Sequence, residues 1–278
     1  MLRKLIKHEW KATWKNLALF NGGIILLGIL GRIMIPLVQN SRLTEIPLFA
    51  AASVICIFFY IFAIFAVAIV TNVLLIARFY RNMFTDEGYL MHTLPVSPAS
   101  HIISKLLVYM AWFVINGLSL ITSISILVSE NIHWGQFFRT LWEIIQALGE
   151  ALSTPAILVA FYLLLTALAV MASLVLCIYF SASVGNLFNT HKKLGAVLCF
   201  VGLNMAIQFL QAMALIFFQW NSFTFTVETT EISGGTVNYV TQINAWPILL
   251  AVLIFYLLLD TLFFLGTQRI LSRQLNLE

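Results

Sequence analysis

The sequence predicts an all-α polytopic membrane protein, and composition is the first reason. Of its 278 residues, 61% are hydrophobic and only 9% are charged, whereas about 25% of residues in soluble domains are charged. The second reason is the length of the apolar runs, since roughly 20 helical residues cross the hydrocarbon core while satisfying their own backbone amides. Composition therefore excludes a soluble globule and a disordered chain. We predict a single transmembrane domain over residues 1–278.

Six apolar runs are long enough to span the bilayer. They lie at about residues 17–38, 48–77, 106–128, 155–180, 194–220 and 245–268. An even number of spans places both termini on one side, and that side receives twelve of the 15 lysine and arginine residues. Because these residues are enriched on the cytoplasmic side, we expect both termini in the cytoplasm. The net charge of +4 then reflects topology rather than nucleic-acid binding.

Residues 1–16 predict a helix that lies along the inner membrane surface. Leu2, Ile6 and Trp10 recur at near-helical spacing beside a basic stripe. Tryptophan is enriched at membrane interfaces. We therefore predict that Trp10, Trp14 and the nearby lysines anchor the segment to lipid. The predicted membrane-anchoring residues are Lys4, Lys7, Trp10, Lys11 and Trp14. The alternative is a basic tail that serves only to set orientation.

Two elements are predicted on the outer side. Between the third and fourth spans, apolar residues recur every three or four positions, which predicts an amphipathic helix over residues 133–152. Residues 223–243 are rich in threonine, valine and aromatic residues about Gly234-Gly235. This pattern predicts a β-hairpin with a two-residue turn. The hairpin is either a plain connector or an outer lid or partner contact.

The sequence contains no recognisable catalytic or metal-binding motif. It lacks a Walker A pattern, and no pair of its five histidines has the helical spacing of a zinc site. We therefore predict no catalytic residue, no metal ligand and no cofactor in this chain.

Polar residues within the spans are candidates for a translocation path, because burying them in lipid is costly. Asp260 lies in the sixth span, and a polar stripe follows one face of the fifth. The predicted translocation-path residues are Asn204, Gln208, Gln211 and Asp260. The alternative is hydrogen bonding between helices. A weaker stripe on the third span predicts helix packing and consists of Asn116, Ser119 and Ser123.

The segment between the second and third spans, residues 79–100, is predicted to be a short rigid element on the cytoplasmic face. A partly apolar element at the end of a long helix is suited to receiving a push from a soluble partner. Prolines at positions 95 and 98 would end its short helix before the third span begins.

Several motifs together resemble those of type 2 ATP-binding-cassette (ABC) exporter permeases, which are common in Gram-positive bacteria. The resemblance is sharpest over residues 79–107. The motifs are Leu5-Ile6-Lys7-His8-Glu9-Trp10-Lys11, Phe79-Tyr80-Arg81, Asp86-Glu87-Gly88-Tyr89-Leu90, Thr93-Leu94-Pro95-Val96 and Ser104-Lys105-Leu106.

The resemblance implies a multi-pass permease of the bacterial plasma membrane with an amino-terminal elbow helix and a coupling helix after the second span. Two permease subunits, identical or homologous, would each bind a cytosolic ABC ATPase that carries ATP and Mg²⁺. The residues it implies for ATPase coupling are Thr85, Asp86, Glu87, Gly88, Tyr89, Leu90 and Pro95. The alternative for Asp86 and Glu87 is that their charges merely solvate a cytoplasmic loop.

The leading hypothesis is an exporter subunit that moves an amphipathic or hydrophobic substrate such as an antimicrobial peptide, drug or lipid. Apolar spans with sparse polar stripes offer no dedicated site for a strongly charged solute. The alternatives are a membrane sensor or scaffold without transport, and an ion-coupled carrier that uses Asp260.

Overall fold

The computed structural model describes residues 2–39, 47–85, 88, 96–128, 134–152, 154–188, 191–222 and 246–273. Within these ranges the chain forms seven α-helices and no β-strand. The predicted hairpin over residues 223–243 lies outside the described residues. The helices are α1 (Leu2–Gln39), α2 (Pro47–Phe84), α3 (Pro98–Leu127), α4 (Trp134–Ala151), α5 (Ala156–Gly185), α6 (Lys192–Ser222) and α7 (Trp246–Arg273).

Six of these helices are long and apolar enough to cross a membrane, which confirms the predicted all-α polytopic class. Helix α4 is the exception, and its bounds coincide with the amphipathic helix predicted over residues 133–152. Each of the six predicted apolar runs falls largely within one of the other helices. The apolar runs therefore fold as their length requires, since in lipid only a helix satisfies each backbone group within its own segment.

Helix α1 continues without a break from the basic segment into the first apolar run. The separate interfacial helix predicted over residues 1–16 is therefore not confirmed. Between Lys15 and Leu17 the sequence has neither proline nor glycine, and Asn16, although asparagine can cap a helix, lies within α1 as a helical residue. Thr13 donates its hydroxyl to the Glu9 carbonyl, one turn earlier in the same helix, at 3.1 Å. The 38 residues of α1 extend about 57 Å, well beyond a hydrocarbon core of about 30 Å.

The connection between α2 and α3 begins and ends at identifiable residues. At the end of α2 the Thr85 hydroxyl donates to the Arg81 carbonyl at 2.6 Å. Ser97 precedes α3 in an extended conformation, with φ −66° and ψ 144°. Pro98 then occupies the first turn, where its missing amide proton is not needed. The predicted coupling segment over residues 79–100 thus starts inside α2 and finishes inside α3.

The chain divides into two compact units. Unit 1 comprises residues 1–137 and 267–278, and unit 2 comprises residues 138–266. In unit 1, α1 packs along α3 and also against α2. The backbones of α1 and α3 approach closely at Gly28, where an added Cβ would lie 2.5 Å from the Ser123 hydroxyl oxygen. In unit 2, α5 packs against α6.

The core of unit 1 is concentrated where the start of α1, the end of α2 and the start of α3 meet. Helix α2 illustrates this, because Phe58 and Phe62 in its first half are exposed while Phe79, Met83 and Phe84 near its end are buried. A helix that is apolar around its circumference and exposed is typical of one solvated by lipid. The buried end, in contrast, is held by contacts within the protein.

Candidate functional site

The strongest polar cluster of unit 1 surrounds the Glu9 carboxylate. Lys105 Nζ lies 2.5 Å from Glu9 Oε1, and Arg78 Nε lies 2.7 Å from Glu9 Oε2. Asn82 adds a longer hydrogen bond of 3.5 Å to Oε1. The side chains of Glu9 and Lys105 are only 6% and 5% exposed, and that of Arg78 is 20% exposed. We call Glu9, Arg78, Asn82 and Lys105 the Glu9 cluster.

An aromatic contact between α1 and α3 lies next to the Glu9 cluster and is formed by Trp10, which follows Glu9 directly, and by Trp112. The indole rings of Trp10 and Trp112 stack with centroids 4.9 Å apart and an interplanar angle of 13°. The Trp112 indole nitrogen donates to the Thr13 hydroxyl at 3.0 Å. Thr13 and Trp112 are both buried. The stack and the hydrogen bond fix the rotation of α1 against α3 at this level.

The Glu9 cluster joins segments that are far apart in sequence. Glu9 lies in the amino-terminal motif, Arg78 immediately precedes Phe79-Tyr80-Arg81, and Lys105 lies in the motif at the start of the third span. These three motifs are recognisable in the sequence, but the sequence does not predict contacts between their charged residues. The structure brings Glu9 into contact with residues 69 and 96 positions away.

Two of the seven predicted coupling residues, Thr85 and Gly88, are described. Thr85 is hydrogen-bonded to the Arg81 carbonyl at the carboxyl end of α2. The Gly88 amide donates to the Thr85 carbonyl at 2.7 Å, and an added Cβ would lie 2.7 Å from the Met83 carbonyl oxygen. Gly88 thus permits close approach to the protein's own backbone. The other five, Asp86, Glu87, Tyr89, Leu90 and Pro95, lie outside the described residues.

The predicted anchoring residues fall into two groups in the structure. Lys4, Lys7 and Lys11 are exposed along α1, and Trp14 is 48% exposed. Trp10 is 37% exposed, because one face of its indole ring packs on α3. Trp10 therefore contributes to helix packing in addition to any contact with lipid.

Two of the three residues in the predicted translocation stripe on α6 form hydrogen bonds within the protein, and the third is exposed. Asn204 donates to the Phe200 carbonyl at 3.0 Å in its own helix, and its amide nitrogen is 3.9 Å from the Cys177 sulfur. Gln208 is exposed. Gln211 donates to the Tyr256 hydroxyl of α7 at 2.8 Å. Gln211 and Tyr256 also line a mainly apolar cavity of about 380 Å³ between α6 and α7.

Asp260 is half-buried on α7 and hydrogen-bonds to the Ser173 side chain of α5. Its Oδ1 atom is buried and has no hydrogen-bond partner among the described residues. Ser173 itself is only 4% exposed. The contact supports the interpretation of Asp260 as a polar link between helices and leaves one carboxylate oxygen available to a further donor.

The weaker polar stripe on α3 serves helix packing, as the sequence predicted. Asn21 of α1 donates to the Asn116 side chain at 2.7 Å. Ser123 donates to the Ile24 carbonyl at 2.8 Å, and its hydroxyl is 3.0 Å from the Tyr60 hydroxyl of α2. Helices α1, α2 and α3 are thus joined a second time, away from the Glu9 cluster.

No group of three histidine, cysteine, aspartate or glutamate side chains could hold a metal ion within the described part of the chain. Comparison of the chain with protein-family models, with curated proteins and with solved structures finds no match, so the resemblance to ABC permeases remains a prediction from the motifs.

Proposed function

We propose that the chain is the membrane-spanning permease subunit of an ABC exporter in a bacterial plasma membrane, with both termini in the cytoplasm. Separate cytosolic ATPase subunits bind ATP and Mg²⁺, and two permease subunits, identical or homologous, form the translocation path. The substrate is amphipathic or hydrophobic, such as an antimicrobial peptide, drug or lipid. Six candidate spans and a sequence without a Walker A motif support this division of labour.

The observation that carries the proposal is the Glu9 cluster at the base of the connection between α2 and α3. A coupling element transmits force only if its base is held, since otherwise the push is lost in local bending. Arg78 and Lys105 lie on either side of this connection and contact the same carboxylate. The buried Phe79 and Met83 add apolar contacts at the same end of α2. A push on residues 85–97 would therefore displace the ends of three helices together.

The residues of the connection supply the chemistry of an interface with the ATPase. In this proposal Asp86 and Glu87 face basic groups of the ATPase, and Tyr89 and Leu90 fill an apolar cleft. Pro95 fixes the exit of the chain toward α3. Thr85 and Gly88, which are hydrogen-bonded to each other through their backbones, begin the element.

Coexpression with an ATPase encoded by a neighbouring reading frame, identified by Walker A and signature motifs, tests the proposal. We expect a stable complex whose ATPase activity responds to the permease. Glu87→Lys and Tyr89→Ala should each reduce recovery of the ATPase by tenfold or more, because an interface hot spot contributes at least about 2 kcal/mol. Glu143→Lys, on an exposed position of α4, is the matched control and should leave recovery unchanged. Retention of the ATPase by both interface variants would contradict the proposed coupling residues.

An ion-coupled carrier is the second candidate, because the Asp260 Oδ1 atom is buried without a hydrogen-bond partner among the described residues. A carboxylate within a membrane span is a typical site for protons or cations. In proteoliposomes without any ATPase, the carrier hypothesis predicts uptake driven by a proton or sodium gradient that Asp260→Asn abolishes. Transport that requires ATP and survives Asp260→Asn would exclude it.

A further inference from the structure

A polar pocket in unit 1 lies beside the Glu9 cluster, between α1 and α2. Its volume is about 290 Å³, just below the range of about 300–1,000 Å³ for small-molecule sites. The pocket is of a size for a compact polar group rather than a drug-sized molecule. The lining residues are Ala12, Thr13, Asn16, Leu17, Leu74, Ala77, Arg78 and Arg81.

The chemistry of this lining is that of an anion site. Arg78 and Arg81 are three residues apart on α2, so both guanidinium groups project from neighbouring positions on one side of the helix. Asn16 adds an exposed amide from α1, whereas the Thr13 hydroxyl already donates to the Glu9 carbonyl and accepts from Trp112. No acidic side chain is among the described residues that line the pocket. Arginine is well matched to phosphate, because its planar group donates two parallel hydrogen bonds.

The position of the pocket along the helices indicates that the anion belongs to a lipid. On α1 the pocket spans the change from the charged segment to the apolar run that starts at Leu17. On α2 it spans the end of the apolar run and the two arginines that follow. Leu74, which is partly exposed, therefore gives the pocket an apolar edge beside its polar end, while Leu17 is buried behind it. Nearby Trp14 is 48% exposed, as is typical of tryptophan at the headgroup level.

We propose that this pocket binds the phosphate group of an anionic phospholipid, with the start of its acyl chains against Leu74. Basic pockets between transmembrane helices are known to bind anionic headgroups. Arg78 belongs both to the pocket and to the Glu9 cluster, where its Nε donates to Glu9. Bound lipid would therefore add a ligand to the same arginine that ties α2 to α1. The proposal does not depend on the exporter hypothesis, because it rests on the pocket alone.

Titration of dioctanoyl phosphatidylglycerol into the full chain in a neutral detergent, at about 0.3 M salt, tests the proposal. A short-chain lipid in detergent removes the surface potential of an anionic bilayer, and salt screens exposed charges. We expect phosphatidylglycerol to bind at least tenfold more tightly than dioctanoyl phosphatidylcholine. Glycerol phosphate, which has the anion but no acyl chain, should bind at least tenfold more weakly than phosphatidylglycerol.

The variants avoid Arg78, since its loss would also disrupt the Glu9 cluster. Arg81→Gln should weaken phosphatidylglycerol binding about tenfold, as expected for one charge-assisted hydrogen bond. Asn16→Leu, a second variant on the other helix, should weaken it severalfold. Lys7→Gln removes the same charge from an exposed position of α1 outside the pocket and should change binding by less than about twofold. Far-UV circular dichroism checks that each variant is folded.

Three results would overturn the proposal. The first is an equal loss of affinity in Lys7→Gln and Arg81→Gln, which would indicate attraction by general surface charge. The second is unchanged affinity in folded Arg81→Gln and Asn16→Leu. The third is equal affinity for glycerol phosphate and phosphatidylglycerol, which would identify a site for a free phosphate ester rather than a lipid.

Discussion

Replacing Glu9 by glutamine removes the carboxylate that contacts Lys105 and Arg78, while preserving the size and shape of the side chain. The wild-type cluster holds one negative and two positive charges, and both Glu9 and Lys105 are buried. Breaking a buried ion pair by removing one partner costs about 3–5 kcal/mol. This is a large part of a total stability of about 5–15 kcal/mol. We expect Glu9→Gln to destabilise the protein by about 3–5 kcal/mol.

The opposite substitution, Lys105→Met, should cost less. Glu9 then retains Arg78 and Asn82, and the remaining cluster is electrically neutral. The loss is that of one hydrogen bond between charged groups, about 1.5–3 kcal/mol. The double variant, Glu9→Gln with Lys105→Met, should be more stable than Glu9→Gln alone, because it returns the Glu9 cluster to its original net charge of one positive. The expected effects are therefore strongly non-additive, as for residues of one network.

Unfolding of the full chain in mixed micelles, followed by far-UV circular dichroism as denaturing detergent is added, measures these differences. Lys7→Met, at an exposed position of the same helix, is the control and should change stability by no more than about 0.5 kcal/mol. The reasoning would be refuted if Glu9→Gln cost no more than Lys105→Met. Additive effects in the double variant would likewise show that the two side chains do not act as one cluster.

Three further predictions concern packing in the two units. Gly28→Ala should destabilise the protein by about 1–3 kcal/mol, since the new Cβ would lie 2.5 Å from the Ser123 hydroxyl oxygen of α3. Gly22→Ala is the control and should be neutral or stabilising, because nothing lies within 4 Å of the added Cβ. The same unfolding experiment in detergent compares the two variants. Trp112→Phe should retain an aromatic contact but lose the hydrogen bond to Thr13, at a cost of about 1 kcal/mol in that assay. Tyr256→Phe removes the hydroxyl that accepts from α6 and should lower the thermal midpoint by a few degrees in differential scanning fluorimetry, without altering helix content.

The spans were predictable because each depends on a local property of the sequence. A long apolar run must be helical in lipid, whatever its neighbours are. The boundary predicted between residues 16 and 17 was less secure, because it rested on a change of side-chain polarity. Polarity determines which solvent surrounds a helix, but only a backbone signal such as proline, glycine or a cap ends one. Neither proline nor glycine occurs there, Asn16 does not act as a cap, and α1 continues.

The Glu9 cluster was not predictable from periodicity. Helical spacing indicates which residues share a face of one helix, but it carries no information about which helices meet. Glu9 stood in a basic segment, so the sequence alone gave it no partner 69 or 96 residues away. Trp10 shows the same limit, because enrichment at interfaces did not indicate that its ring stacks on Trp112. Covariation between these positions in homologous sequences is the signal that would have paired them.

Polar contacts join helices α1, α2 and α3 at two levels along their length. The hydrogen bonds of Ser123 and the Glu9 cluster at Lys105 are 18 residues apart on α3, or about 27 Å. Three helices in contact at a single level could rotate about that level, whereas contacts at two levels oppose both rotation and displacement of one helix along another. We therefore expect these three helices to move together as one body within unit 1.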